Sequence, residues 1–67
     1  MYEVNIVFST PKGPRAYKYV SSHAQAERRM NWALRKPNAC EVKVTNGSHT
    51  VHYARTHDHE PWAKVVS

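Results

Sequence analysis

The first residues of the chain alternate in polarity. In YEVNIVF, Tyr2, Val4, Ile6 and Phe8 take one side, and Glu3, Asn5 and Val7 take the other. A period of two, carried by β-branched and aromatic residues, predicts a half-buried strand over residues 1–8. STPKGPR then supplies turn chemistry, with proline, glycine and proline in close succession. AYKYV reads as a second strand over 15–20, with Tyr17 and Tyr19 on one face. The two runs predict an antiparallel hairpin whose loop is longer than two residues.

SSHAQAERRMNWALRKP changes the period and predicts a helix over 22–36. Ser22 followed by Gln25 has the spacing of a capping box, in which the hydroxyl meets a free backbone N–H and the amide reaches back. Ala, Glu, Arg, Met and Leu are strong helix formers. Pro37 disfavours helical geometry at the residue before it. Arg35 and Lys36 are then expected in the last turn, where positive charge complements the helix dipole.

CEVKVTNGSHTVHYAR returns to period two. Asn46-Gly47 is a strong hairpin signal, because both central residues of the tight turn need positive φ. A turn centred there pairs Thr45 with Ser48, Val44 with His49, Val42 with Val51 and Cys40 with Tyr53, giving strands over 40–45 and 48–55. Glu41, Lys43, Thr45, Ser48, Thr50 and His52 then share a polar face. The tail, residues 56–67, fits either a short helical turn near Pro61 or an additional edge strand through WAKVV. The expected fold is α+β: a single domain of ββαββ order, its small antiparallel sheet carrying one amphipathic helix on one face and leaving the other wet.

Helical geometry assigns Trp32 a position. At about 100° per residue, Ala26, Ala33, Leu34 and His23 fall within about 60° of Met30 and form the expected buried stripe. Trp32 falls about 160° from Met30 by the same measure, in company with Gln25, Arg28, Arg29, Arg35 and Lys36. The expectation is an exposed indole among four cations. The alternative is that Trp62, Val65 and Val66 of the tail fold back over it.

Composition sharpens the partner classes. The chain has 67 residues, ten Lys and Arg against five Asp and Glu, and a formal net charge of +5. A pI near 9.7 is the footprint of many nucleic-acid binders and favours an acidic partner. The lone Cys40 allows no internal disulfide and fits a reducing compartment. No signal-peptide pattern and no apolar run of the roughly 18 residues a membrane span needs are present, so a cytoplasmic protein with no membrane association is expected.

Five histidines raise the question of a metal. His57 and His59 frame Asp58 and, if extended, project to the same side. A structural zinc site commonly takes four ligands, often thiolates, at defined spacing, and the only thiol here is expected on the apolar side of its hairpin, away from His52. The HDH stretch therefore reads as polar surface, and no cofactor is expected. No fixed set of nucleophile, base and orienting residue is legible, so the reading is not an enzyme. PKGPR lacks the glycines of a phosphate-cradling loop, though Lys12 and Arg15 are placed to touch phosphate.

The run from YKYV through the alanine-rich capped helix with its tryptophan, then Pro37, then CEVKV, resembles small phage-encoded proteins in which a helix packs on a short antiparallel sheet. The RNA polymerase inhibitor family of T7-like phages is of this kind. The resemblance covers about residues 17–45 and implies a modulator that docks on a host protein. Two functions are thus expected. The first is a basic, non-catalytic module that binds DNA or RNA with weak sequence specificity. The second is a small inhibitor or modulator that docks on an acidic surface of a host protein such as RNA polymerase or a nuclease. The expected contact residues are Gln25, Arg28, Arg29, Trp32, Arg35, Lys36, Lys12 and Arg15, in a monomer or an edge-strand dimer.

Overall fold

A computed structural model of the chain describes residues 1–56 and 60–65. The elements are β1 (Tyr2–Thr10), β2 (Gly13–Ser21), α1 (His23–Leu34), β3 (Ala39–Thr45), β4 (Thr50–Ala54) and β5 (Ala63–Lys64). They form one five-stranded antiparallel sheet of order β2-β1-β3-β4-β5. The helix packs over the central strands β3 and β1 and only marginally over β2. The α+β expectation holds, and the tail contributes the edge strand β5.

The first hairpin is tighter than expected. Thr10 pairs with Gly13, so only Pro11 and Lys12 connect β1 to β2. Proline fixes φ at the first corner, and Gly13 accepts a φ of 112° that a Cβ would strain. The Thr10 hydroxyl also donates to the Gly13 carbonyl. Both strands therefore run further into the STPKGPR segment than alternation alone indicates.

The second hairpin is looser than expected. Thr45 pairs with Thr50, Val44 with Val51 and Val42 with Tyr53, so the loop is Asn46 to His49. The Asn46 side-chain oxygen accepts from the His49 N–H at 2.8 Å and from the Ser48 N–H at 3.1 Å. That local turn displaces the two-residue alternative. Gly47 supplies the positive φ, at 95°. The slip is two residues, which restores each side chain to its expected face. A slip of one would have turned the valines outward.

The core lies between the helix and this sheet face. Val4, Ile6, Ala26, Ala33, Ala39 and Val42 are fully buried. Tyr2, Phe8, Tyr19, Met30, Leu34, Val44 and Trp62 pack around them half-buried. Each buried Val or Ile contributes roughly 1.5–3 kcal/mol through apolar surface removed from water. A register shift between Val7 and Phe8 pairs Phe8 with Ala39 and Val7 with Glu41, leaving Cys40 as the additional residue. Ala39 consequently takes the interior place, and the Cys40 thiol donates to the Val7 carbonyl at 3.4 Å.

The helix begins where the capping signal placed it. Ser22 is the N-cap, and its hydroxyl accepts from the Gln25 N–H at 3.4 Å. It ends earlier than expected, at Leu34, so Arg35 is the C-cap and Lys36 lies beyond the last turn. The last turn is closed by short-range bonds from Arg35 N–H to the Trp32 carbonyl and from Lys36 N–H to the Ala33 carbonyl. Pro37, with no N–H, cannot extend the ladder.

Remaining carbonyls at this end are met by two tail-side residues. The Trp62 indole N–H donates to Leu34 O at 2.9 Å. Arg55 donates to Lys36 O at 2.7 Å, Ala39 O at 2.8 Å, Pro37 O at 3.1 Å and Glu60 O at 3.2 Å. Its guanidinium also lies over the Trp62 ring, 4.2 Å from the centroid. A planar fork of five donors suits this task; an ammonium does not. Positive charge there also faces the negative end of the helix dipole.

Two stability changes follow. Arg55→Ala should lower stability by about 2–3 kcal/mol in urea denaturation, the range for hydrogen bonds from a charged donor, and Arg55→Lys should recover less than half of it. Ala33→Leu should cost about 1–3 kcal/mol by overpacking the helix–sheet contact.

Candidate functional site

Two rows of helix residues meet the rim of the sheet beside β2. Gln25 and Arg29 form one row and Arg28 and Trp32 the next, each pair four positions apart and therefore adjacent on the helix surface; Lys36 follows just past the helix end. Opposite them stand Lys18, Tyr19, Val20 and Ser21 of β2. Between helix and strand runs an open groove of about 590 Å³, lined by those four residues and by Gln25, Arg28, Arg29 and Trp32.

Trp32 is 43% exposed; Trp62 bonds the Leu34 carbonyl and Val65 the His52 carbonyl instead of covering it, and Val66 lies outside the described residues. Trp32 does not stand on the far side of the helix, however. Its ring meets Phe8 edge to face, with centroids 6.0 Å apart and planes at 73°. Phe8 meets Tyr17 in the same manner at 5.7 Å. The cause is helix rotation. The fully buried positions are Ala26 and Ala33, not Met30, so the stripe centre turns by about 50° toward Arg29 and brings Trp32 to the flank. From the flank a long indole reaches back to β1.

Two of the four expected cations are laid on rings. The Arg29 guanidinium sits 3.9 Å from the centroid of Tyr19, and Lys36 Nζ sits 4.9 Å from that of Trp32. Such contacts are worth roughly 0.5–1 kcal/mol at exposed sites. A guanidinium stacked by its face keeps its N–H donors in its edge, free for an anion. Arg28 shares the groove wall, whereas Arg35, exposed at the helix C-cap, does not line it. Arg15, on β2, pairs with Phe8 of β1 and is exposed. Lys12 lies exposed in the first hairpin turn, outside the groove.

Charge is divided between the two sides of the sheet. On the face away from the helix, Lys18 meets Glu3 at 3.4 Å and His52 meets Glu41 at 2.7 Å. The Asn5 amide bonds Glu3 at 3.1 Å and is the main cause holding its carboxyl below the usual range; desolvation, next in size, opposes it, and Lys18, by bond and charge, and Lys43, by charge, add to the lowering. Arg28 and Arg29 in the groove wall, and Arg15, Arg35 and Lys36 outside it, have no carboxylate partner among the described residues. Glu27 lies away from the groove, beside Tyr2, His23 and His49.

Reading the sequence found the helix half of this site and missed the strand half. Tyr19, Lys18, Val20 and Ser21 had no signal beyond a strand pattern, because nothing local says that β2 is the edge strand left uncovered by the helix. Ser21 is the least expected member: its Oγ is buried and has no hydrogen-bond partner among the described residues. The metal candidates His57 and His59 lie outside the described residues. No helix among the described residues is long and apolar enough to cross a membrane.

Ser21→Ala removes a buried hydroxyl without stranding a partner, so its thermal midpoint should equal or exceed the parent's by up to a few degrees. Comparison of the chain with protein-family models, with curated proteins and with solved structures finds no match, so the site is read from its own geometry.

Proposed function

We propose that this chain is a small, non-catalytic nucleic-acid-binding module that uses the α1–β2 side of the molecule. One observation carries the reading: on that side the cations lack carboxylate partners among the described residues and are interleaved with the half-exposed rings of Trp32, Tyr17 and Tyr19. Phosphates take the cations, releasing condensed counterions, and rings accept bases or sugars. Stacking and phosphate neutralisation are tolerant of sequence, so weak sequence preference is expected.

A second reading has its own support. On the outer strand β2, Tyr17 is 43% exposed on the helix side of the sheet and Val20 60% exposed on the other side, and exposed apolar side chains along a sheet edge are surface that a protein partner covers. In that reading the same basic side docks on an acidic surface of a host protein, as the resemblance to phage-encoded inhibitors implies.

Binding of labelled DNA across a salt series separates the two. Arg28→Ala should weaken binding and reduce the steepness of log K against log salt by about one unit for each phosphate that is no longer neutralised. Lys43→Ala, on the opposite face, should leave the slope unchanged. No binding of DNA or RNA below about 100 µM at low salt, together with nuclease-resistant capture of one acidic protein, would overturn the nucleic-acid reading in favour of the second.

A further inference from the structure

The groove has features that a duplex does not use. It is a trough between one edge strand and one helix, and the exposed part of Trp32 lines it rather than standing proud of the surface. Stacking on that ring needs a base already free of its neighbours. An unpaired strand supplies one without disruption; a duplex must first unstack and unpair it. The Gln25 amide, a group that offers both donors and an acceptor, also lines the groove. Base edges and sugar hydroxyls are the nucleic-acid groups that suit such a side chain, and pairing hides base edges in a duplex.

We infer that the groove between β2 and α1 takes one unpaired nucleic-acid strand, its phosphates against Arg28 and Arg29 and a base against Trp32. The inference rests on the nucleic-acid reading above and narrows its ligand class. The groove mouth is positive on the helix side, which suits a phosphate backbone running along the helix. Lys18, on the strand side, is already engaged with Glu3 at 3.4 Å. The helix rows therefore make the principal phosphate contacts, and the strand side supplies Tyr19.

Fluorescence anisotropy on the whole chain tests this. The probes are a fluorescein-labelled mixed-sequence DNA single strand of about 12 nucleotides and the duplex of the same sequence, at about 50 mM salt. The single strand should bind at least about ten-fold more tightly than the duplex, the effect expected of one stacked base. Trp32→Leu should remove about that factor from single-strand binding and change duplex binding by less than about two-fold. The parent-protein comparison requires no variant, so a misfolded Trp32→Leu would not block the test. Equal or tighter binding of duplex, or an equal loss on both probes in folded Trp32→Leu, would overturn the single-strand inference and leave the broader reading standing. If neither probe binds below about 100 µM, and an RNA strand of the same sequence does not bind either, the nucleic-acid reading itself fails.

Discussion

The arrangement depends on how closely the helix can approach the sheet, and two alanines set that distance. Ala26 and Ala33 are fully buried against the interior built by Val4, Ile6 and Val42. With only a methyl group at these positions, the helix axis lies low over β1 and β3. Longer side chains on its flanks then reach the sheet sideways: Trp32 to Phe8 and Arg29 to Tyr19. Because the helix is centred on β1 and β3, the outer strand β2 is left beyond its edge, and the groove is the space that remains. A larger residue at either alanine position would lift the helix and open both contacts.

The other end of the helix is fixed by different chemistry. Helix C-termini leave carbonyls unsatisfied, and a buried end with no partner is costly. Here Arg55 and Trp62, distant in sequence, bring donors to that end and stack on one another. The tail is thereby occupied with the helix terminus and with β4, where Ala63 pairs with Ala54. Trp62 and Val65 are thereby held away from Trp32. The exposed indole follows in part from what holds the C-terminal segment elsewhere.

The same partition shapes the electrostatics. Acidic residues Glu3 and Glu41 lie on the helix-free face, where Lys18 and His52 meet them. The net charge of +5 is therefore not spread evenly: among the described residues, positive charge without a carboxylate partner concentrates along α1 and near β2. An overall basic composition supports any acidic partner; its concentration beside aromatic rings is what favours nucleic acid.

Strand alternation and the Ser22 cap were readable locally, because each depends on residues within a few positions of one another; the helix end was not, since it falls at Leu34, ahead of the stop expected at Pro37. Faces survived even where pairing did not: the second hairpin slipped by two residues when Asn46 formed its own side-chain turn, and the valines stayed inside. The first hairpin closed more tightly than its proline-rich loop implied, through Gly13 at positive φ. Helix rotation was not readable, since Ala and Met both count as apolar and only the approach of the sheet distinguishes them. Neither was Arg55, whose donors serve carbonyls as many as 19 positions away. The sequence by itself thus determined the elements, their inward faces and the sign of the surface charge, all properties of neighbouring residues. The tertiary structure alone decided how far the helix stops short of β2, which cations meet rings and which hydroxyl has no partner among the described residues, because these arise only when distant segments compete for the same space.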